Sequence, residues 1–157
     1  MYSNKLICKI LIYIDENIQN KITIEELENK FFYNKYYIMK LFKKEIGLTI
    51  VEYINSIRIY NSILLIKNND SNFTNIAFKN GFYSLEYFSE MFKQITKLSP
   101  KKFKYFFSRK KNISFDEIDQ INTSMVKLYE ISNIKANYLS KQKPVKLPVK
   151  KLSIFKF

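Results

Sequence analysis

Histidine is absent from the 157-residue chain, and cysteine occurs once, as Cys8. These shortages exclude a zinc set, a Ser-His-Asp or Cys-His catalytic group and an internal disulfide. Two glycines are too few for a phosphate-cradling Gly-rich loop. With only three prolines beside them, they also leave few tight turns for a many-stranded sandwich or barrel. Helices joined by short polar turns need little of either residue, so the expected fold is all-α. Long hydrophobic runs are missing too: nothing approaches the roughly 20 apolar residues that span a bilayer. The nearest run, Leu6 to Ile14, is broken by Lys9, lacks a small-residue cleavage pattern and is followed by Asp15 and Glu16. Ile7, Ile10, Leu11, Ile14 and Ile18 instead share one helical face. The expectation is an amphipathic first helix in a cytoplasmic protein without membrane partner, metal, cofactor or catalysis.

What the chain does have is apolar content of 46% and an excess of base, 27 Lys and Arg against 14 acids, for a net charge of +13. The first supports a folded core, and the second makes a polyanion the first partner to consider. Only Arg58 and Arg109 are arginines. Abundant Lys, Ile and Asn are also what an A+T-rich coding sequence yields, so the location of the charge carries more than its sum.

Along the chain, Thr23 and Glu26 form a capping box that starts a helix at Ile24 and carries it to about Phe31. Asn34 caps a second helix, with Tyr37, Ile38, Leu41 and Phe42 as its expected buried stripe, ending near Gly47. A second box, Thr49 with Glu52, opens a long helix to about Lys67 whose apolar positions include Tyr53, Ile57, Tyr60 and Leu64. Asn72 caps residues 73–79, Asn80 and Gly81 supply a turn, and Ser84 caps a helix with Tyr87, Phe88, Met91 and Phe92 inward. Ser99 and Pro100 begin one more helix, through Phe107. Seven helices thus cover residues 5–108.

A repeat underlies this layout. Tyr37, Ile38, Leu41, Phe42, Lys43 and Leu48 recur fifty positions later as Tyr87, Phe88, Met91, Phe92, Lys93 and Leu98. Leu27 pairs with Ile76, so the second copy has one extra residue in its turn. Each copy is a short helix, a tight turn and a second helix, the arrangement in which the second helix enters a major groove. In the first copy Tyr36, Met39, Lys40 and Lys43 lie off the apolar stripe, where a groove would meet them.

Residues 22–106 resemble the two-part DNA-binding domain of the AraC/XylS transcription regulators. The resemblance rests on Leu41-Phe42-Lys43-Lys44-Glu45-Ile46-Gly47, Glu52-Tyr53-Ile54, Arg58-Ile59, Ile76-Ala77, Gly81-Phe82, Tyr87-Phe88-Ser89, Phe92-Lys93 and Leu98-Ser99-Pro100. It implies seven helices in a domain spanning 5–108, with homeodomain-like helix-turn-helix units at 24–47 and 73–98 joined by a linker helix at 50–67. It also implies sequence-specific binding of double-stranded DNA near promoters, contact with RNA polymerase, and regulation as an activator, in the cytoplasm on the nucleoid. One chain with two reading heads can bind as a monomer. Carried over by position, the base-reading sites are Tyr36, Met39 and Lys40 in the first copy and Leu85, Glu86, Ser89 and Glu90 in the second. Lysine at position 40 lacks the fork of the more usual arginine and reads guanine less selectively. Lys35, Lys43, Lys44 and Lys93 are placed for phosphates.

The second copy departs from the pattern. Glu86 and Glu90 repel phosphate and each other, so its helix is expected to add little affinity. Asn80 and Glu28 stand where apolar or small residues are usual and suggest looser packing. Tyr37, Phe42, Phe88, Phe92 and Phe103 are expected in the core, Cys8 as a packing residue, and Arg58 as an organiser of the linker helix by capping or ion pairing. Lys101, Lys102, Lys104, Lys110 and Lys111 are either a solvated face or phosphate contacts. Residues 112–157 hold +4 of the net charge, with Phe115–Ser124 the start of a helix, Met125–Ile134 a strand and Lys141–Lys151 irregular. The segment 109–157 reads as a basic tail or a truncated effector domain. No sensor precedes the first helix, so protein amount rather than a ligand is expected to set activity. A competing reading is a protein-interaction module of the same fold that has lost specific DNA reading.

Overall fold

The computed structural model describes residues 2–67, 72–109 and 115–140. These form nine α-helices and no strand: α1 (Tyr2–Glu16), α2 (Ile24–Phe31), α3 (Lys35–Ile46), α4 (Ile50–Lys67), α5 (Phe73–Lys79), α6 (Leu85–Thr96), α7 (Pro100–Arg109), α8 (Phe115–Ser132) and α9 (Ile134–Ser140).

The starts of these helices follow from side-chain chemistry. The Thr23 hydroxyl accepts from Glu26 N at 3.1 Å while Thr23 N donates to the Glu26 carboxylate. Thr49 and Glu52 make the same reciprocal pair at 3.2 and 2.7 Å. Each box satisfies two amides that the helix itself cannot. Hydrogen bonding to Thr49, its backbone N–H first, and the nearby Lys43 hold the Glu52 carboxyl below its ordinary value.

Two cores result, one on each half of α4. The first packs Ile7, Leu11 and Ile14 of α1 with Leu27, Ile38, Phe42, Tyr53 and Ile54. The second packs Ile59, Ile63 and Ile66 with Ile76, Phe82, Phe88, Phe92 and Phe103. Successive ring contacts run Phe82, Phe88, Phe92, Phe103, with centroids 5.2–5.6 Å apart in edge-on geometry. Helix α4 therefore buries residues all round its circumference, as a central helix must, although Leu64 is exposed rather than inward. Cys8 is buried in α1.

Residues 125–132 are helical and Asn133 is a turn before α9, which overturns the expected strand. Ile121, Met125, Leu128 and Ile131 of α8 recur at helical spacing and are all buried, so burial against α4 outweighs the local alternation of the sequence. The first three join the second core and Ile131 joins the first, so α8 straddles both. Helix α9 then closes on the first half: Lys135 pairs with Asp15, and Tyr138 Oη donates to the Glu45 carboxylate at 3.0 Å. The expected irregular segment 141–151, and Lys110 and Lys111, lie outside the described residues.

Asn80 and Glu28, where looser packing was expected, both make hydrogen bonds. Asn80 is buried, but its side-chain amide donates to Ile76 O at 2.8 Å. Glu28 accepts from Lys35 N at 3.0 Å and so caps the following helix. Both polar groups are consumed in turn geometry, which offsets the cost of burying Asn80.

Candidate nucleic-acid interface

Helices α3 and α6 are built alike. Each has twelve residues, a side-chain oxygen at its start (Asn34 Oδ1 to Tyr36 N, 2.9 Å; Ser84 Oγ to Tyr87 N, 3.1 Å) and a left-handed residue after its end, Gly47 and Lys97. Caps at both ends set where the helix begins and stops, and thus which side chains its outer face carries.

On α3, Tyr36 is 67% and Met39 40% exposed, and Lys40, Lys43 and Lys44 are exposed beside them; Lys35 is half-buried. The inward residues are Ile38, Leu41 and Phe42. Tyr37 is not among them: it lies 46% exposed and stacks on Tyr33, centroids 5.6 Å apart at 20°. A fourth stripe position near the helix start extends past the edge of the core, so stacking within the turn replaces burial.

On α6, Glu86, Glu90 and Lys93 are exposed, while Leu85 and Ser89 are half-buried. Glu86 occupies the first turn, where a carboxylate interacts favourably with the helix dipole, so it has a structural reason to be there. The faces differ in charge: α3 carries four lysines and one glutamate, α6 two glutamates and one lysine. Lys35 pairs with Glu25 at 3.6 Å and Lys43 with Glu52 at 3.4 Å. Such exposed pairs are worth under about 1 kcal/mol and are easily exchanged for phosphate. Lys40 and Lys44 carry no ion pair among the described residues.

Three features escaped the reading of the sequence. The first is a second tyrosine stack, Tyr83 on Tyr87 at 4.9 Å and 18°, placed fifty residues after Tyr33 on Tyr37. The repeat itself contained that signal. The second is Asn55 of the linker helix, whose buried amide donates to Tyr87 Oη at 3.0 Å, tying α6 to α4. The third is Arg58. Among the described residues it neither caps α4 nor pairs with an acid: its Nε donates to Ile18 O at 2.9 Å and its Nη2 to Asn20 O at 2.7 Å, both in the loop between α1 and α2. The guanidinium also lies over the Phe82 ring, 5.8 Å from the centroid. Burial lowers its pKa from the ordinary arginine value, and the two carbonyls offset part of that desolvation. Lys101 and Lys102 are exposed on α7 and Lys104 is half-buried.

The whole presents two capped helices, one basic and one mildly acidic, held on a shared spine by buried hydrogen bonds. Among the described residues no group of His, Cys, Asp and Glu is arranged to hold a metal ion, and no helix is long and apolar enough to cross a membrane.

Residues 27–105 match a family model described as a helix-turn-helix domain. The transcriptional regulatory protein HptR of Staphylococcus aureus is 32% identical over 99 residues, 63% of this chain and 39% of HptR, so the chain spans about two fifths of that relative. A transcriptional regulator from Chromobacterium violaceum, titled as containing an AraC-type DNA-binding domain, superposes with a TM-score of 0.60 at 16% identity, over 68% of this chain and 96% of the other. The DNA-binding domain of AdpA, solved with a target DNA, gives 0.60 at 16% identity, over 68% and 97%. At that identity the two structures speak for the fold.

Proposed function

Because the chain belongs to the AraC-type family of helix-turn-helix DNA-binding transcription regulators, we propose that it is a non-enzymatic, cytoplasmic activator that binds promoter DNA through two unequal heads. The observation that carries this reading is the exposed, lysine-rich outer face of α3 set beside the acid-bearing face of α6.

In this reading the DNA-binding unit is 5–108, with heads at 24–47 and 73–98 on the 50–67 linker. Tyr36 and Met39 meet thymine methyl groups, and Lys40 approaches the O6/N7 edge of guanine. Lys44, Lys43 and Lys35 hold phosphates, the last two by leaving Glu52 and Glu25, and Lys93 does so from the second head. Leu85 and Ser89 make short-range contacts, while Glu86 and Glu90 limit the second head to bases that offer a donor, such as the cytosine amino group. A single chain supplies both heads and binds as a monomer, in contact with RNA polymerase. Helices α8 and α9 pack on the DNA-binding unit and belong with it in this reading.

The alternative, an interaction module without specific reading, draws on Glu86, Glu90 and the scarcity of arginine. Selection of bound duplexes from a pool of genomic promoter fragments, with anisotropy across a salt series, separates the two. A common motif, strongest over one groove face, supports the unequal heads. Equal binding to all duplexes, collapsing steeply with salt, leaves only counterion release and overturns sequence reading.

A further inference from the structure

Where α8 crosses from one core to the other it leaves a half-open cavity of about 550 Å³ against α4 and the end of α6, with Glu52, Lys97 and Lys127 at its exposed rim. Its apolar walls include Met91 and Ile95 of α6 and Leu128 and Ile131 of α8. A site of this size suits a drug-sized molecule and is far larger than a structural water needs. On its floor are two adjacent polar residues of the linker helix, Asn55 and Ser56, 6% and 7% exposed.

Ser56 is the informative residue. Three other helical hydroxyls return their proton to the carbonyl four residues back, Ser62 to Arg58, Thr96 to Phe92 and Ser124 to Gln120, at 2.7–2.8 Å. Ser56 makes no hydrogen bond among the described residues, and no fully enclosed polar side-chain atom there lacks a partner. Its hydroxyl therefore opens onto the cavity. Asn55 spends its amide on Tyr87 Oη and Met91 Sδ, which leaves its side-chain oxygen as an acceptor. A donor and an acceptor thus line one mostly apolar, half-open cavity, which is the composition of a small-molecule site.

We propose that this cavity binds a mostly apolar small molecule carrying one hydrogen-bonding group, which is received by Ser56 Oγ and Asn55 Oδ1. The site is independent of DNA reading, and direct binding to the full chain without DNA tests it. The probe is phenylnaphthylamine, an uncharged aromatic with a single N–H whose fluorescence rises on leaving water. The expected result is saturable one-to-one binding. Ser56→Leu, which removes the hydroxyl and fills the floor, weakens it at least about tenfold. Gln94→Trp blocks the exposed rim and does the same without touching the core, so the test survives if the first variant folds poorly. Val126→Ala, on the exposed face of α8, leaves binding unchanged. Unsaturable or absent probe binding, or equal binding by wild type and Gln94→Trp, overturns the proposal.

Discussion

The Arg58 guanidinium and Gly81 are so close that a Cβ at Gly81 would stand 2.9 Å from Arg58 Nη2 and 2.7 Å from Ile18 O. Gly81 also has φ of 79°, so glycine is required there both by conformation and by the approach of its neighbours. The linker helix, the loop before α2 and the turn before α6 converge at this point, and it joins the two heads.

Removing the guanidinium strands two carbonyls and one wall of Phe82. Arg58→Ala is expected to destabilise the chain by about 3 kcal/mol or more, and Arg58→Lys by less, since an ammonium reaches one carbonyl. Gly81→Ala is expected to cost more than about 2 kcal/mol. Urea midpoints at unchanged m-value measure all three.

Lys40 and Lys44 stand close on α3 and separate specificity from affinity. Lys40→Ala is expected to lower affinity for the selected motif by about tenfold, with little effect on unrelated duplexes. Lys44→Ala is expected to weaken all duplexes alike and reduce the salt slope by about one. Anisotropy titrations at several salt concentrations distinguish these results.

The two tyrosine stacks precede the outer faces of α3 and α6 and are uncharged. Tyr33→Ala and Tyr83→Ala are expected to weaken DNA binding several-fold, roughly 1 kcal/mol each, without altering the salt slope. A changed slope would assign the effect to lysines displaced by the substitution instead.

Lys97 occupies after α6 the left-handed position that Gly47 occupies after α3, with φ of 69° and 83°. Lys97→Gly is expected to stabilise by about 0.5–1 kcal/mol, because relief of the side-chain clash exceeds the added freedom of the unfolded chain. Gly47→Ala is expected to destabilise by about 1 kcal/mol although open space surrounds it. Thermal melting of both variants checks the pair.

Alkali should act on the tyrosines. Burial and the Glu45 carboxylate push Tyr138 up to about 12, and the hydrogen bond to Glu26, with burial, does the same to Tyr13. A folded-state pKa above the unfolded value near 10 means that the folded chain holds protons the unfolded chain has lost. This stability is complete below pH 10 and is lost as pH rises towards 12. Tyr138→Phe is expected to flatten part of that decline, read from denaturant midpoints across the range.

Local chemistry made much of this fold legible. Capping boxes at Thr23 and Thr49, caps at Asn34 and Ser84, and the fifty-residue repeat mark both helix-turn-helix units and the linker in the sequence alone. Long-range geometry was hidden: nothing near Arg58 in sequence points to Ile18 or Asn20, forty and thirty-eight residues away. Helix α8 was misread because a short alternating stretch cannot reveal that α4 offers it a groove. Tyr37 was misplaced because periodicity says which side of a helix is apolar and not how far the core extends along it.

The straddling position of α8 has a mechanical consequence. Two heads joined by α4 alone would form a torsional spring able to follow its target, whereas a second strut across both cores makes the pair a rigid gauge. Each base pair inserted between the two contacted faces turns the second by about 34–36° about the duplex axis. Under the proposed function a stiff gauge would not follow that rotation, so helical phase, as much as base identity, would decide which duplexes engage both heads.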